Sequence, residues 1–242
     1  MKPTAAKKPP SSVFARSSRG AATTKQSPTS NLEIASPVSL ARKNDSRQIT
    51  FTDRLRINFR FVLDPAVEFL DRIGVHPNYL TAIGLLGTTA AAYLISQSQF
   101  TWAGVVVLVI GPVDALDGAL ARRRGEPQAF GAFVDSVADR YSELALYAGL
   151  LWVAQASGDR RLSFLVYFAA FGSVLVSYVR ARAQSLGMDA KGGILTRVER
   201  FIIMTACLVV NAPFIGVGIL AIGTNLTAIQ RILYVRHLSK TT

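Results

Sequence analysis

Residues 102–140 read WAGVVVLVIGPVDALDGALARRRGEPQAFGAFVDSVADR. An apolar run ends in two aspartates, Asp114 and Asp117, and a basic cluster, Arg122–Arg124, follows at once. After a short polar link, a second apolar segment begins with Asp135 and Asp139. Carboxylates inside such segments are costly in hydrocarbon and therefore mark function. Spacings of three and four place each pair on one face of a helix. The short basic link predicts that the two helices pack as antiparallel neighbours, with both pairs converging near one membrane surface.

Working outward, the apolar residues dominate from Leu80 to Val235 and form almost no runs before residue 50. A bilayer span needs about 20 mostly apolar residues, and six segments qualify: Asn78–Ser96, Trp102–Leu120, Phe133–Ala154, Leu162–Ala181, Leu195–Val210 and Phe214–Tyr234. Backbone groups must be satisfied within the bilayer, so these spans are expected to be helices. The predicted fold class is an all-α integral membrane protein with six transmembrane helices over residues 76–238. Residues 49–75 are expected to form an amphipathic interfacial helix, with Phe51, Leu55, Phe59, Val62, Ala66, Phe69 and Ile73 at helical spacing and arginines between them. Asp64-Pro65 is a point of kinking or division in it. Residues 1–48, rich in Ser, Thr, Ala, Pro and Lys and free of acids before Glu33, read as a disordered basic arm; an acid-poor transit peptide has the same composition.

The 242-residue chain is 50% hydrophobic and carries a formal charge of +12, a combination unusual for a soluble domain. Its cations mark alternate connections. Thirteen Lys/Arg precede the first span, and Arg180, Arg182, Lys191, Arg197 and Arg200 surround the link after the fourth. Gln97–Thr101 and Asn211–Pro213 have none. By the positive-inside rule both termini face the cytoplasm, the parity that six spans require. Topology and anionic lipid account for the charge, so no nucleic-acid partner is expected. The single cysteine, Cys207, excludes an intrachain disulfide and reads as packing.

Four carboxylates in one pocket call for a positive partner, and hard oxygen donors suit Mg²⁺, Mn²⁺ or Ca²⁺, with a paired site suited to phosphoryl chemistry. Gly118 lets a ligand approach beside Asp117, and Arg122 offers bidentate hydrogen bonds to phosphate. Asp114-Ala-Leu-Asp117-Gly118-Ala-Leu-Ala121-Arg122, eight residues, Gly131, three residues, Asp135, three residues, Asp139 resembles the full signature of the CDP-alcohol phosphatidyltransferase family. The resemblance covers roughly residues 50–238. It implies that Asp114, Asp117 and Asp135 hold two divalent ions, with Asp139 contributing at the second and serving as general base for the acceptor hydroxyl. Arg122 and the ions would grip the diphosphate of CDP-diacylglycerol, Gly118 and Ala121 would give the cytidine room, and Gly131 would permit close helix approach. Asn78 and Thr81 are assigned to capping of the first span or to the nucleotide, with capping ahead. The resemblance also implies a homodimer; a bacterial inner membrane is the expected location.

The acceptor is read from Ser177, Arg180 and Arg200, which are similar to segments of phosphatidylinositol-phosphate synthases that bind a phosphorylated inositol. Inositol 1-phosphate leads, with glycerol 3-phosphate as the alternative; Arg180 and Gln184 depart from the usual lysine and acid. Glu143 is expected either to orient Asp139 or a water or to pair with Arg140 or another cation. Gly87, Gly104, Gly149 and Gly172 are read as close-packing points between helices. The competing class is an ion-coupled transporter, which would also place aspartates in membrane helices but would not require Gly118, Ala121 and Arg122 at these offsets.

Overall fold

The computed structural model describes residues 64–125, 129–190 and 192–241. These belong to the unit Ile49–Thr242; the arm 1–48 and the first part of the expected interfacial helix lie outside the described residues. After a helical stretch at 64–72 come α1 (Pro77–Ser96), α2 (Phe100–Arg123), α3 (Ala129–Ala156), α4 (Arg160–Ser185), α5 (Arg197–Val209) and α6 (Pro213–Thr241). No strand occurs among the described residues.

Local sequence explains the ends. Pro77 opens α1 behind His76, whose Nδ1 accepts from the Asn78 amide at 3.2 Å; proline suits the first helical position because its missing N–H would be unpaired there. The cap is therefore His76, and Asn78 supplies only a backbone donor. Asp159 caps α4 by accepting from the Leu162 amide at 3.1 Å, the usual office of an acidic residue at that position. Asn211 takes a positive φ of 58° between α5 and α6, the left-handed conformation that asparagine tolerates at a helix C-terminus. Helix α5 starts at Arg197 rather than Leu195, and the Leu195 amide donates to Thr227 Oγ1 on α6 at 3.0 Å.

Among the described residues four helices, α1, α2, α4 and α6, are long and apolar enough to cross a membrane. Helix α3 has 28 residues but carries Asp135, Asp139, Arg140 and Glu143. Helix α5 has 13 residues, about 20 Å at 1.5 Å per residue, which is less than a typical hydrocarbon core.

The helices form a ring. Helix α1 packs on α2 and α3, α2 on α5, α5 on α6, α6 on α4, and α4 on α3. The expectation that α2 and α3 pack as direct neighbours is thus corrected: α1 carries the packing with both. The reason is steric and electrostatic. Glycines on α1 and α3 let backbones close up, whereas the facing aspartates of α2 and α3 repel and leave a cleft. A Cβ at Gly87 would lie 2.6 Å from Ile110 Cγ1, and one at Gly149 would lie 2.5 Å from the Ala92 carbonyl oxygen. One at Gly104 would lie 2.6 Å from the Val209 nitrogen, and one at Gly172 would collide with Thr224. All four expected packing glycines are close-approach points. Away from the aspartates the ring is filled by an apolar core that includes Ile95, Val107, Leu150, Val166, Leu208 and Leu220.

The stretch 64–72 is tied to the cleft end. Val67 packs with Leu80 and Leu120, Asp71 accepts from Arg124 Nε at 2.7 Å and pairs with Arg123 at 3.5 Å, and Phe69 and Ile73 remain exposed.

Candidate active site

Asp117 is only 5% exposed. Its carboxylate is held by the Thr81 hydroxyl at 2.7 Å and by the neighbouring Gly118 amide. Thr81 does not cap α1: it is a buried donor to Asp117 on α2. Such a donor is required because a carboxylate taken from water without partners is strongly destabilising.

Asp114 lies one helical turn earlier. Its Oδ1 occupies the space that a Cβ at Gly84 would take, at 2.5 Å, so the missing side chain on α1 is what admits it. Its Oδ2 accepts from Arg197 Nη2 at 2.7 Å. The same Nη2 pairs with Asp139 Oδ1, and Asp139 Oδ2 accepts from Arg140 Nη1 at 3.1 Å. Asp135 is half-buried and close enough to act electrostatically on Asp114, Asp117 and Asp139. The four aspartates therefore gather at one end of α2 and α3. Among the described residues no three His, Cys, Asp or Glu side chains close around a single point; two carboxylates from different helices meet instead on the guanidinium at the start of α5. That arrangement fits a divalent cation in kind: the donors are all hard oxygens, and both helices already direct them to a shared positive charge.

Next to this cluster, Arg200 is 3% exposed and gripped at both ends by Glu143, Nε to Oε1 at 2.7 Å and Nη2 to Oε2 at 3.0 Å. Of the expected roles for Glu143, cation pairing is the one observed, with Arg200 rather than Arg140. Bidentate geometry is what the planar guanidinium favours. Asp114, Asp139, Ser142, Glu143, Arg197 and Arg200 line a small cavity of about 60 Å³. Ser177 donates to the Ser173 carbonyl at 3.2 Å, and Arg180 is exposed near the end of α4. Arg231, on α6, is 3% exposed and donates to the Val176 carbonyl at 2.7 Å and the Gly192 carbonyl at 2.8 Å. It acts electrostatically on Arg180 and Arg200. Its position within the apolar run of the last span was the available signal, since a cation there is costly.

The Arg122 guanidinium lies over Gly118, whose Cβ would come within 3.3 Å of Nη1. Ala121 is half-buried and Asn78 exposed. Among the described residues a Cβ at Gly131 would meet nothing within 4 Å.

A family model described as CDP-alcohol phosphatidyltransferase matches residues 74–229. The chain is 33% identical over 190 residues to the phosphatidylinositol phosphate synthase of Mycobacteroides abscessus, covering 75% of this chain and 86% of that one. It is 36% identical over 180 residues to the archaetidylinositol phosphate synthase of Pyrococcus horikoshii, covering 74% and 93%. The crystal structure of Mycobacterium tuberculosis phosphatidylinositol phosphate synthase with CDP-DAG bound superposes with a TM-score of 0.67 at 32% identity, covering 72% of this chain and 93% of that one. The same enzyme with manganese and citrate gives 0.67 over 72% and 88%. The chain belongs to the CDP-alcohol phosphatidyltransferase family. It is an enzyme of that class, a membrane transferase of phospholipid synthesis.

Proposed function

We propose that this enzyme transfers the phosphatidyl group of CDP-diacylglycerol to the hydroxyl of inositol 1-phosphate, releasing CMP. The observation that carries the reading is the meeting of the α2 and α3 carboxylates with arginines from α5 at one mouth of the ring. A phosphorylated acceptor is supported by the cations gathered around Arg231, with Arg180 and Arg200 in electrostatic reach, and by relatives named for a phosphorylated inositol product. Guanidinium suits phosphate.

In this reading Asp114, Asp117, Asp135 and Asp139 hold two divalent ions, Mg²⁺ or Mn²⁺. When bound, the metal supplies neutralisation of the diphosphate and of charge developing at phosphorus. Thr81 and Gly118 fix the Asp117 carboxylate. Arg122 binds the diphosphate, with Gly118, Ala121, Gly131 and Asn78 around the nucleotide. Ser177, Arg180, Arg200 and Arg231 hold the acceptor phosphate, with Glu143 orienting Arg200. The acceptor hydroxyl gives its proton to the Asp139 carboxylate as its oxygen bonds to the lipid-bearing phosphorus, and the bond to CMP breaks. Six spans, an interfacial helix at 49–75, cytoplasmic termini and cleft, a bacterial inner membrane and a homodimer complete the proposal; the basic residues at alternate helix ends support the orientation.

The test is CMP release by the purified protein from CDP-diacylglycerol with Mg²⁺ or Mn²⁺ and either inositol 1-phosphate, glycerol 3-phosphate, serine or free inositol. Metal-dependent release with inositol 1-phosphate alone supports the reading. Release with glycerol 3-phosphate instead would reassign the acceptor, and silence across the panel from folded protein would remove the donor.

A further inference from the structure

Buried or helical hydroxyls in this bundle find partners: Thr81 donates to Asp117, and four other threonines bond within their own helix. Thr88, Thr89, Thr224 and Thr227 each turn their hydroxyl back to the carbonyl four residues earlier, on Gly84, Leu85, Leu220 and Gly223, at 2.7–2.8 Å. In an apolar surrounding this is the local way to satisfy a hydroxyl. Thr205 on α5 has neither kind of partner. It is 5% exposed, and its Oγ1 is the one fully buried side-chain nitrogen or oxygen without a hydrogen-bond partner among the described residues. A buried hydroxyl left unpaired calls for an explanation.

Its position supplies one. Thr205 and Phe201 line two spaces at once. On one side is the polar cleft with Asp114, Asp139 and Arg197. On the other is a groove of about 340 Å³ between α2 and α5, formed with Leu108, Ile202, Val209 and Val210, whose exposed lining is entirely apolar. The groove opens outward: Leu108 is 55% and Val210 69% exposed. Thr205 lies eight residues beyond Arg197, about 12 Å deeper along a helix rising 1.5 Å per residue. A molecule spanning both spaces would carry phosphate at the upper end and hydrocarbon at the lower. At the junction it would present the linkage between glycerol and chain.

Resting on the donor assigned above, we propose that Thr205 reads that linkage: its hydroxyl donates to an acyl ester carbonyl of the CDP-linked lipid, with that acyl chain lying in the α2–α5 groove. An ether-linked chain would fill the same groove but offer no carbonyl. Thr205 is then a residue for the class of lipid accepted, and separate from those that bind the nucleotide, metal or acceptor. A site built to hydrogen-bond one group discriminates against the analogue lacking it, because the protein's own polar group is left unpaired.

The experiment compares CDP-diacylglycerol with its dialkyl ether analogue of equal chain length, using the full-length protein and its T205V and T205S variants. Wild type is expected to favour the ester about tenfold in kcat/KM. T205V, of nearly the same shape, should lose five- to tenfold on the ester through KM, leave the ether unchanged and so erase the preference. T205S should keep it. Equal losses on both donors in T205V, an unchanged ester preference in T205V, or no preference in wild type would each overturn the assignment while leaving the donor intact. CMP release from neither donor by wild type would instead overturn the functional reading, and this one with it.

Discussion

The two ends of the helix ring are built on opposite principles. At the far end, Gly104, Gly149 and Gly172 bring backbones together around Leu150, Leu208 and Leu220, and nearly every group is satisfied by packing. At the near end the helices stand apart, and charged side chains bridge the gap: Arg197 between Asp114 and Asp139, Glu143 on Arg200, Thr81 on Asp117. Helix α1 belongs to both. Gly87 meets Ile110 closely, while Gly84, three residues earlier, yields its space to an aspartate oxygen instead of to a neighbouring hydrocarbon. The same residue type therefore serves packing at one level and chemistry one turn away. The rigid half fixes where the polar half can place its charges, which is the general requirement for a precise site.

That division predicts different signatures for mutations in the two halves. The largest effect belongs to Asp139→Asn, which keeps the shape but removes a charge and, in the proposed reaction, the proton acceptor. CMP release should fall more than about a hundredfold, in the range of lost acid–base catalysis, with the purified protein still folded by circular dichroism. Residual activity near wild type would dissolve the distinction between the ends.

Thr81→Val comes next. It leaves the buried Asp117 carboxylate short of a donor, worth about 1.5–3 kcal/mol for a hydrogen bond to a charged group, so kcat/KM should drop roughly tenfold or more. Thr81→Ser should restore most of it. An equal loss in both variants would make Thr81 a packing residue.

Gly149→Val tests the other end. The added side chain meets the Ala92 carbonyl, and overpacking costs about 1–3 kcal/mol. The melting temperature in detergent should fall while KM for either substrate stays within about twofold. A selective rise in acceptor KM would mean that the rigid half reaches the cleft directly.

His76→Ala should have the smallest effect. Loss of the cap on α1 costs about 1 kcal/mol or less at an exposed end, read as a small decrease in melting temperature with activity retained. A large loss of activity would place His76 in the site.

Several parts of this protein were legible in its sequence for plain physical reasons. Carboxylates three and four residues apart within apolar runs can only share a helix face, so the four aspartates and their gathering near one end followed from Asp114, Asp117, Asp135 and Asp139 alone. The apolar segments were equally legible, because a bilayer demands length and composition together. So were the packing glycines, since little else explains them inside apolar helices.

Other features depended on partners distant in the chain. Whether Glu143 would meet Arg140 or Arg200 turned on the placement of α5, which is 57 residues away. Thr81 read as a cap because its partner, Asp117, lies 36 residues on. That α1, and not α3, is the packing neighbour of α2 is a competition between backbone fit and charge repulsion, settled only when all the helices are assembled. Sequence determined which groups this membrane protein carries and on which faces; tertiary structure decided which of them meet, because pairing energy depends on distances that no local pattern contains.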